Sequence, residues 1–125
     1  MKRKLTAVLA CRNNGSRLYA KPLQYLDNNK KVNVLKMIID TLKKEKIINE
    51  IILSISSNKD NFIYRDIAIK EKLNFVLGSD KDVLKRLILG ANKSNATDVF
   101  RITTESPFVS FHKIEELWNL HCNNN

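Results

Sequence analysis

The stretch Ala10-Cys-Arg-Asn-Asn-Gly-Ser-Arg-Leu-Tyr-Ala-Lys-Pro-Leu23 follows an apolar run at residues 5–10, which is typical of a buried first strand. It places Arg12, Arg17 and Lys21 around four small or polar residues, with no acidic residue among them. A loop of this kind can direct several backbone N–H groups at one point, and three cations there suit a polyanion such as a nucleoside triphosphate. A solvated basic loop is the alternative, and the stretch alone does not decide between the two.

The length and composition indicate one soluble domain. A chain of 125 residues is long enough to bury a core without disulfides. Cys11 and Cys122 form no CxxC pair and have no cluster of His or Cys beside them, so reduced thiols are expected and a structural zinc site is not. The basic amino terminus imitates a secretion signal, but its apolar part is shorter than the ~7–15 residues of such signals. No segment approaches the ~18 apolar residues of a membrane span. A cytoplasmic location without a membrane partner is therefore expected.

The positive charge is unevenly distributed along the chain. The net charge is +9, and residues 1–50 hold 12 Lys and Arg against 4 Asp and Glu, whereas residues 51–125 hold 10 against 9. A nucleic-acid module usually adds interleaved aromatic residues or a recognition helix, and the sequence has neither. A nucleic-acid partner is therefore not expected, and the excess charge belongs to the half that carries the basic loop.

Hydrophobic periodicity predicts four strands that alternate with four helices. The strands are predicted at residues 5–10, 50–55, 74–77 and 98–102, and the helices at 32–46, 61–72, 81–92 and 111–122. The predicted inward faces are Val34, Leu35, Ile38, Ile39 and Leu42; Phe62, Ile63 and Ile67; Val83, Leu84, Leu87, Ile88 and Ala91; and Phe111, Ile114, Leu117 and Trp118. This alternation favours an α/β fold with a mostly parallel sheet and helices on both faces.

Ligands of such sheets bind outside the carboxyl ends of the strands. The loops predicted at those ends are residues 12–21, 56–60, 78–82 and 103–107. The basic loop is the first of them, so its position favours the polyanion site over the solvated loop.

Three motifs in this chain resemble those of the cytidylyltransferases that make CMP-activated sugars. The basic loop is similar to the pattern Q-A-R-x-G-S-T-R-L-P-G-K-x-L of the spore-coat polysaccharide branch, with Cys11-Arg12 for A-R, Arg17-Leu18 for R-L, Lys21 for K and Leu23 for the last L. Gly78-Ser-Asp-Lys-Asp-Val-Leu-Lys-Arg86 is similar to G-S-x-x-D-V-L-x-R. Arg101-Ile-Thr-Thr-Glu-Ser-Pro-Phe-Val109 is similar to R-I-T-G-D-C-P-L-I. The three motifs occur in order and span nearly the whole chain, and none is a Walker or Rossmann glycine pattern.

The resemblance implies a Rossmann-like, three-layer α/β/α nucleotidyltransferase of the GT-A-like type, with residues 1–125 as the nucleotide-binding half of a nucleotide-diphospho-sugar-transferase-like domain. The implied activity is CTP-dependent transfer of CMP to a sugar or sugar acid with release of pyrophosphate, for surface glycan synthesis. Arg12 and Lys21 are the implied catalytic cations. The implied nucleotide- and substrate-binding residues are Arg12, Asn14, Gly15, Ser16, Arg17, Lys21, Ser56, Gly78, Asp82 and Arg86.

A magnesium cofactor is also implied, because the family holds a metal with an acid after its fourth strand. Glu105 stands at that position, where the family has Asp. For Asp82 and Arg86 the alternative is a charge at a helix amino terminus and a solvated helix face. For Arg101 the alternative is an ion pair with a nearby carboxylate.

Members of this family are longer than the present chain, and their second half carries a further metal-binding carboxylate, the sugar pocket and a dimerisation arm. The sequence therefore leaves two hypotheses open. The first is an enzyme, complete by itself, as a homo-oligomer or with a complementing second chain. The second is a non-catalytic or degenerate nucleotide-binding module. Neither the sugar nor the choice of CTP over another nucleoside triphosphate follows from the sequence.

Overall fold

Four parallel strands form the main sheet of the computed structural model, in the order β5-β4-β1-β6. The structure describes residues 2–11, 25–27, 32–58, 61–103 and 114–124. The strands are β1 (Leu5–Cys11), β2 (Tyr25–Asp27), β3 (Val32–Asn33), β4 (Glu50–Ser56), β5 (Asn74–Gly78) and β6 (Asp98–Thr103). The helices are α1 (Val34–Lys43), α2 (Phe62–Lys70), α3 (Val83–Ser94) and α4 (Ile114–Asn123). The predicted α/β fold with a parallel sheet is confirmed.

Strand β1 lies in the interior of the sheet, with β4 on one side and β6 on the other. Its sequence, LTAVLAC, has one polar residue, and six of its seven residues are buried. A strand that is covered on both faces reads as a continuous apolar run rather than an alternating one, which is why this strand was recognisable from sequence. The first strand of the sequence is therefore a buried, central strand of the sheet.

Helices cover both faces of the sheet, as predicted. On one face, Ala7 and Leu9 of β1 share a core with the buried side of α1, with Tyr64 and Ala68 of α2, and with Ile114 of α4. On the other face, Val8 and Ile52 pack against Leu87 of α3. The buried side of α1 consists of Val34, Leu35, Ile38, Ile39 and Leu42, which confirms the predicted inward face.

Helix α1 begins two residues later than predicted. Asn33 is its N-cap, because the Asn33 side chain accepts a hydrogen bond from the backbone N–H of Lys36. Val32 and Asn33 instead form β3, which pairs antiparallel with β2. This two-stranded pair was not predicted.

The predicted inward faces of the other helices were partly wrong. On α2, Phe62 and Ile63 are exposed, whereas Tyr64 and Ala68 are buried. On α3, Leu84 is 66% and Ile88 is 52% exposed, and the buried side chains are Arg86, Leu87 and Ser94 together with Gly90. On α4, Ile114 is buried as predicted, but Leu117 is 62% exposed. Phe111 lies outside the described residues. None of the described helices is long and apolar enough to cross a membrane.

Candidate nucleotide-binding edge

The four parallel strands end side by side, at an edge of the sheet that we call the carboxyl edge. In the paired register, Cys11 lies beside Ile55, Ser56 beside Gly78, and Ala10 beside Thr103. The segments that follow these strands, residues 12–24, 57–61, 79–82 and 104–113, therefore all begin at this edge. The strand order confirms that the four strands end at one edge, and most of the residues that the sequence singled out follow these strand ends in the sequence.

Ser56 joins the end of β4 to the segment after β5. The Ser56 side chain is buried, and its hydroxyl donates a hydrogen bond to the carboxylate of Asp80. The backbone N–H of Ser57 donates to the carbonyl of Gly78 at 2.8 Å. Two neighbouring loops of the carboxyl edge are thus held together by one side-chain and one backbone hydrogen bond.

Asp82 caps α3. Its carboxylate accepts a hydrogen bond from the backbone N–H of Lys85 at 3.0 Å, and its own backbone N–H donates to the hydroxyl of Ser79 at 3.1 Å. This is the helix-terminal role that the sequence offered as an alternative to substrate binding. The substrate-binding role of Asp82 stays a prediction.

Arg86 is buried beneath the carboxyl edge, with 1% of its surface exposed. Its guanidinium donates to the carbonyl of Ser79 at 3.1 Å, and its own carbonyl accepts a hydrogen bond from the Ser54 hydroxyl at 2.6 Å. The alternative of a solvated helix face is therefore wrong for Arg86. A buried charge is retained only where hydrogen bonds or other charges compensate for its lost hydration.

The positive charge of Arg86 acts on the thiol of Cys11, at the end of β1. Burial raises the pKa of the Cys11 thiol to about 12, and the positive charge of Arg86 partly opposes this rise. The segment with Arg12, Arg17 and Lys21 begins at the next residue. A buried cation therefore lies close to the point where the basic segment leaves the sheet.

The absence of a side chain at Gly78 allows α3 to lie close to the end of β5. A Cβ at this position would lie 2.9 Å from Cγ of Arg86 and 2.9 Å from Cδ1 of Leu89. The glycine of the Gly-Ser motif thus has a packing role. Whether its backbone also faces a ligand stays a prediction.

Sequence reasoning did not single out Ser54 and Asp80, although both hold this edge together. The serine at position 54 interrupts the apolar run EIILSIS of a buried strand, and such an interruption indicates a buried hydrogen bond. Asp80 lies inside the quoted motif but at a position that the motif leaves free. Its pairing with Ser56 depends on β4 and β5 being neighbours, which becomes evident only from the strand order.

The remaining predicted site residues lie outside the described residues, and their positions stay predictions. They are Arg12, Asn14, Gly15, Ser16, Arg17, Lys21 and Glu105. Among the residues that the structure does describe, no group of three His, Cys, Asp or Glu side chains could hold a metal ion. Asp80 and Asp82 are engaged by Ser56 and by the start of α3, so the described residues alone do not fit a magnesium site.

Arg101 is exposed on β6, and no carboxylate of the described part of the chain forms an ion pair with it. The paired-arginine alternative stays a prediction, because Glu105 lies outside the described residues.

Comparison with known proteins finds similarity in sequence to one curated protein and in fold to several solved structures. No family model matches the chain. An uncharacterized protein of Methanocaldococcus jannaschii is 26% identical over 113 residues, which cover 90% of this chain and 45% of that protein. Because this relative is itself uncharacterized, the similarity does not indicate a function for the present chain.

Three of the solved structures that resemble this chain are cytidylyltransferases. A cytidylyltransferase from Leptospira borgpetersenii matches 99% of this chain with a TM-score of 0.88 and 18% identity, over 51% of its own length. A CMP:2-keto-3-deoxy-manno-octonic acid synthetase, solved as a complex with CTP, matches 96% with a TM-score of 0.78 and 14% identity, over 48% of its length. A 4-diphosphocytidyl-2C-methyl-D-erythritol synthase from Anaerococcus prevotii matches 95% with a TM-score of 0.62 and 22% identity.

The chain thus spans about half the length of the proteins that it matches, and the matched part is their amino-terminal half. At these identities the likeness concerns the fold. The chain has the Rossmann-like fold of the amino-terminal half of a cytidylyltransferase.

Proposed function

We propose that this chain binds CTP at the carboxyl edge, as the nucleotide-binding half of an enzyme that transfers CMP to a sugar or sugar acid. The observation that carries the proposal is the arrangement of that edge. The Ser56–Asp80 pair and the buried Arg86 lie where the parallel strands end, and the basic segment follows β1 directly in the sequence. Parallel α/β sheets bind their ligands at this edge. The likeness to a synthetase that was solved with CTP supports the choice of nucleotide.

In the proposed reaction, Arg12, Arg17 and Lys21 bind the triphosphate and offset the negative charge that develops as pyrophosphate leaves. An oxygen of the sugar forms a bond to the α-phosphorus, while the bond from that phosphorus to the oxygen of the departing pyrophosphate breaks. The protein contributes position and charge rather than a covalent intermediate.

A magnesium ion would supply further neutralisation of the phosphates, and Glu105 is the residue proposed to hold it. The described residues do not by themselves form a metal site. Glu105→Gln is expected to remove the effect of Mg²⁺ on CTP affinity if this assignment is right.

The test of the proposal is CTP affinity, measured by calorimetry with and without Mg²⁺. Arg17→Ala is expected to weaken CTP binding by about tenfold or more, since a hydrogen bond to a charged group contributes about 1.5–3 kcal/mol. Lys93→Ala is the matched control, because Lys93 is an exposed cation in the last turn of α3, away from the carboxyl edge, and should leave CTP affinity unchanged.

Failure of the native chain to bind any nucleoside triphosphate would refute the proposal. An Arg17→Ala chain with native affinity would remove Arg17 from the site. CTP binding without pyrophosphate release from any sugar would favour the second candidate, a nucleotide-binding module without turnover. The chain spans about half the length of the cytidylyltransferases that it resembles.

A further inference from the structure

The edge of the sheet opposite the carboxyl edge is strongly basic. We call it the amino edge, and it consists of residues 2–4, 43–50, 70–74 and 92–98. These residues lead into the four parallel strands, three of them from the ends of α1, α2 and α3. They include nine Lys and Arg against four Asp and Glu, so these short ranges carry +5 of the net charge of +9. More than half of the net charge therefore lies away from the proposed nucleotide site.

Contacts within the chain hold these segments side by side. At the ends of α1 and α2, Nζ of Lys43 lies 2.8 Å from the Glu71 carboxylate. At the start of β4, the Glu50 carboxylate accepts hydrogen bonds from Asn74 at 3.0 Å and from Lys4 at 2.8 Å. The same Lys4 side chain also donates to a carbonyl in the last turn of α3. The helix ends and the strand starts thus form one continuous surface.

Three of the four carboxylates at the amino edge already pair with cations of the chain. Two of these pairs are given above, and the third joins Asp98 to Arg3 at 2.9 Å. Six further cations are exposed, and none of them forms an ion pair with a carboxylate of the described part of the chain. They are Lys2, Lys44, Lys46, Lys70, Lys72 and Lys93. These six lysines are the outer charge of the amino edge.

Helix stability accounts for part of this charge. A cation in the last turn of a helix offsets the negative pole of that helix, and Lys43, Lys70 and Lys93 stand in such positions. This role does not extend to Lys2, which precedes β1, or to Lys46, which lies beyond α1. Like charges held close together repel each other, and an anionic partner offsets that repulsion. The amino edge therefore has the charge of a surface for an anionic partner.

The side chains of the amino edge favour an anionic bilayer over a nucleic acid. None of its residues is Phe, Tyr or Trp, so it offers no ring on which a base could stack. Its one arginine, Arg3, already pairs with Asp98, and the exposed cations are lysines. A lysine is a point charge on a flexible stem, whereas arginine provides the planar fork that recognises individual phosphates. Flexible point charges suit a diffuse layer of lipid headgroups.

The amino edge is well separated from the carboxyl edge. Strand β1 has seven residues, so its two ends lie about 20 Å apart at ~3.3 Å per residue. Electrostatic interactions in water are screened over about 8 Å at physiological ionic strength. A partner at the amino edge is therefore bound by charges other than those of the basic segment at residues 12–21, and it leaves the carboxyl edge facing away.

We propose that the amino edge binds peripherally to bilayers that contain anionic lipids, with its six exposed lysines against the headgroups. A membrane partner was not expected from the sequence, because no segment is long enough to span a bilayer, but a peripheral contact needs no spanning segment. Binding by lysine charges is reversible and weakens as salt screens the attraction. This inference is independent of CTP binding.

The test is co-sedimentation of the 125-residue chain with two kinds of vesicle. One kind is pure phosphatidylcholine, and the other contains about one third phosphatidylserine, which is anionic. At about 0.1 M salt the native chain is expected to sediment with the anionic vesicles and to stay in solution with the neutral ones. Raising the salt to about 1 M, where screening acts over about 3 Å, should release the chain.

Two double variants that lose the same charge locate the contact. Lys46→Gln combined with Lys70→Gln should lower partition into anionic vesicles by about tenfold or more, since each lysine near such a surface contributes about fivefold. Lys81→Gln combined with Lys85→Gln is the matched control, because both lysines are exposed near the amino terminus of α3, away from the amino edge. This control should change partition by less than about twofold, and circular dichroism checks that each variant keeps the fold.

Three results would overturn the proposal: no binding to anionic vesicles, equal binding to neutral vesicles, or equal effects of the two double variants. Filter binding of polyuridylate covers the nucleic-acid alternative. Polyuridylate binding that is lost only in the amino-edge variant, without vesicle binding, would assign these lysines to a nucleic acid instead. No nucleoside triphosphate is present, so the outcome is separate from that of the CTP-binding test.

Discussion

The thiol of Cys11 is held in its neutral form by the residues around it. Cys11 is completely buried at the end of β1, and burial raises its pKa to about 12 even with Arg86 nearby. Because the thiolate is the reactive form, native Cys11 should not react with iodoacetamide at pH 8, whereas the half-buried Cys122 should. Mass spectrometry is expected to find one labelled thiol in the native chain and two in the unfolded chain. Labelling of native Cys11 at the rate of Cys122 would contradict the buried placement.

Three residues of the predicted site make contacts within the chain that the structure describes. The motif singled out Gly78, Asp82 and Arg86, and all three lie at or beneath the carboxyl edge. Their observed contacts are structural. Gly78 leaves room for α3, Asp82 caps the amino terminus of that helix, and the Arg86 guanidinium donates a hydrogen bond to the carbonyl of Ser79. A motif records that a residue type is needed at a position. It does not distinguish a contact with a ligand from a contact that shapes the site.

Helices α1 and α2 are joined by an ion cluster around Glu71. The Glu71 carboxylate lies 2.8 Å from Nζ of Lys43 and 3.0 Å from Nζ of Lys36. The hydrogen bond from Lys43, together with that from Lys36, lowers the pKa of the Glu71 carboxyl against the opposing effect of burial. A carboxyl whose pKa is lower in the folded state stabilises the fold above its unfolded pKa, and this contribution is lost as the pH falls through the folded pKa.

Glu71→Gln is therefore expected to lower the free energy of unfolding by about 1 kcal/mol at pH 7, a modest value because the two lysines are exposed. The difference from the native chain should shrink as the pH falls below about 4.5, where the unfolded carboxyl is protonated. Urea unfolding at several pH values measures this. Asp66→Asn is the control, since Asp66 is an exposed carboxylate of the same helix. A difference that stays constant down to pH 3 would show that packing, not charge, accounts for the effect.

At the level of elements, the sequence predicted the strands well and the helix faces less well. All four main strands begin at the predicted residue and end only one residue later than predicted, because continuous apolar runs mark their bounds. The predicted buried face of α3 was wrong because the observed one includes the polar residues Arg86 and Ser94. A prediction from apolar residues alone therefore placed Leu84 and Ile88 on the buried face, although both are exposed. The Arg86 guanidinium donates to the carbonyl of Ser79, which lies outside the helix, and no local pattern reveals such a partner. The short pair β2 and β3 has too few residues for any periodicity.

Among the described residues, the two faces of the sheet contribute very different numbers of side chains to the buried core. Fifteen of the described residues form the buried core on the side of α1 and α2, whereas three, Val8, Ile52 and Leu87, form the buried core on the side of α3. The residues around Leu87, such as Val83 and Val76, are only partly buried. Unfolding free energy should therefore depend more strongly on the first face, where a lost side chain leaves a cavity that its neighbours cannot fill.

The same substitution on the two faces tests this asymmetry. Leu→Ala in a core generally costs about 2–5 kcal/mol, and the cost rises with the volume of the cavity that remains. Leu53→Ala should lie near the top of this range, because Leu53 is fully buried in the larger core. Leu87→Ala should lie near its lower end, because the partly exposed surroundings of Leu87 can close or admit water. Leu84→Ala, on the exposed side of α3, should change the unfolding free energy by less than about 0.5 kcal/mol. Urea unfolding of the three variants under one set of conditions gives the ranking. A Leu87→Ala chain that loses as much unfolding free energy as Leu53→Ala would mean that the α3 face is as tightly packed as the other.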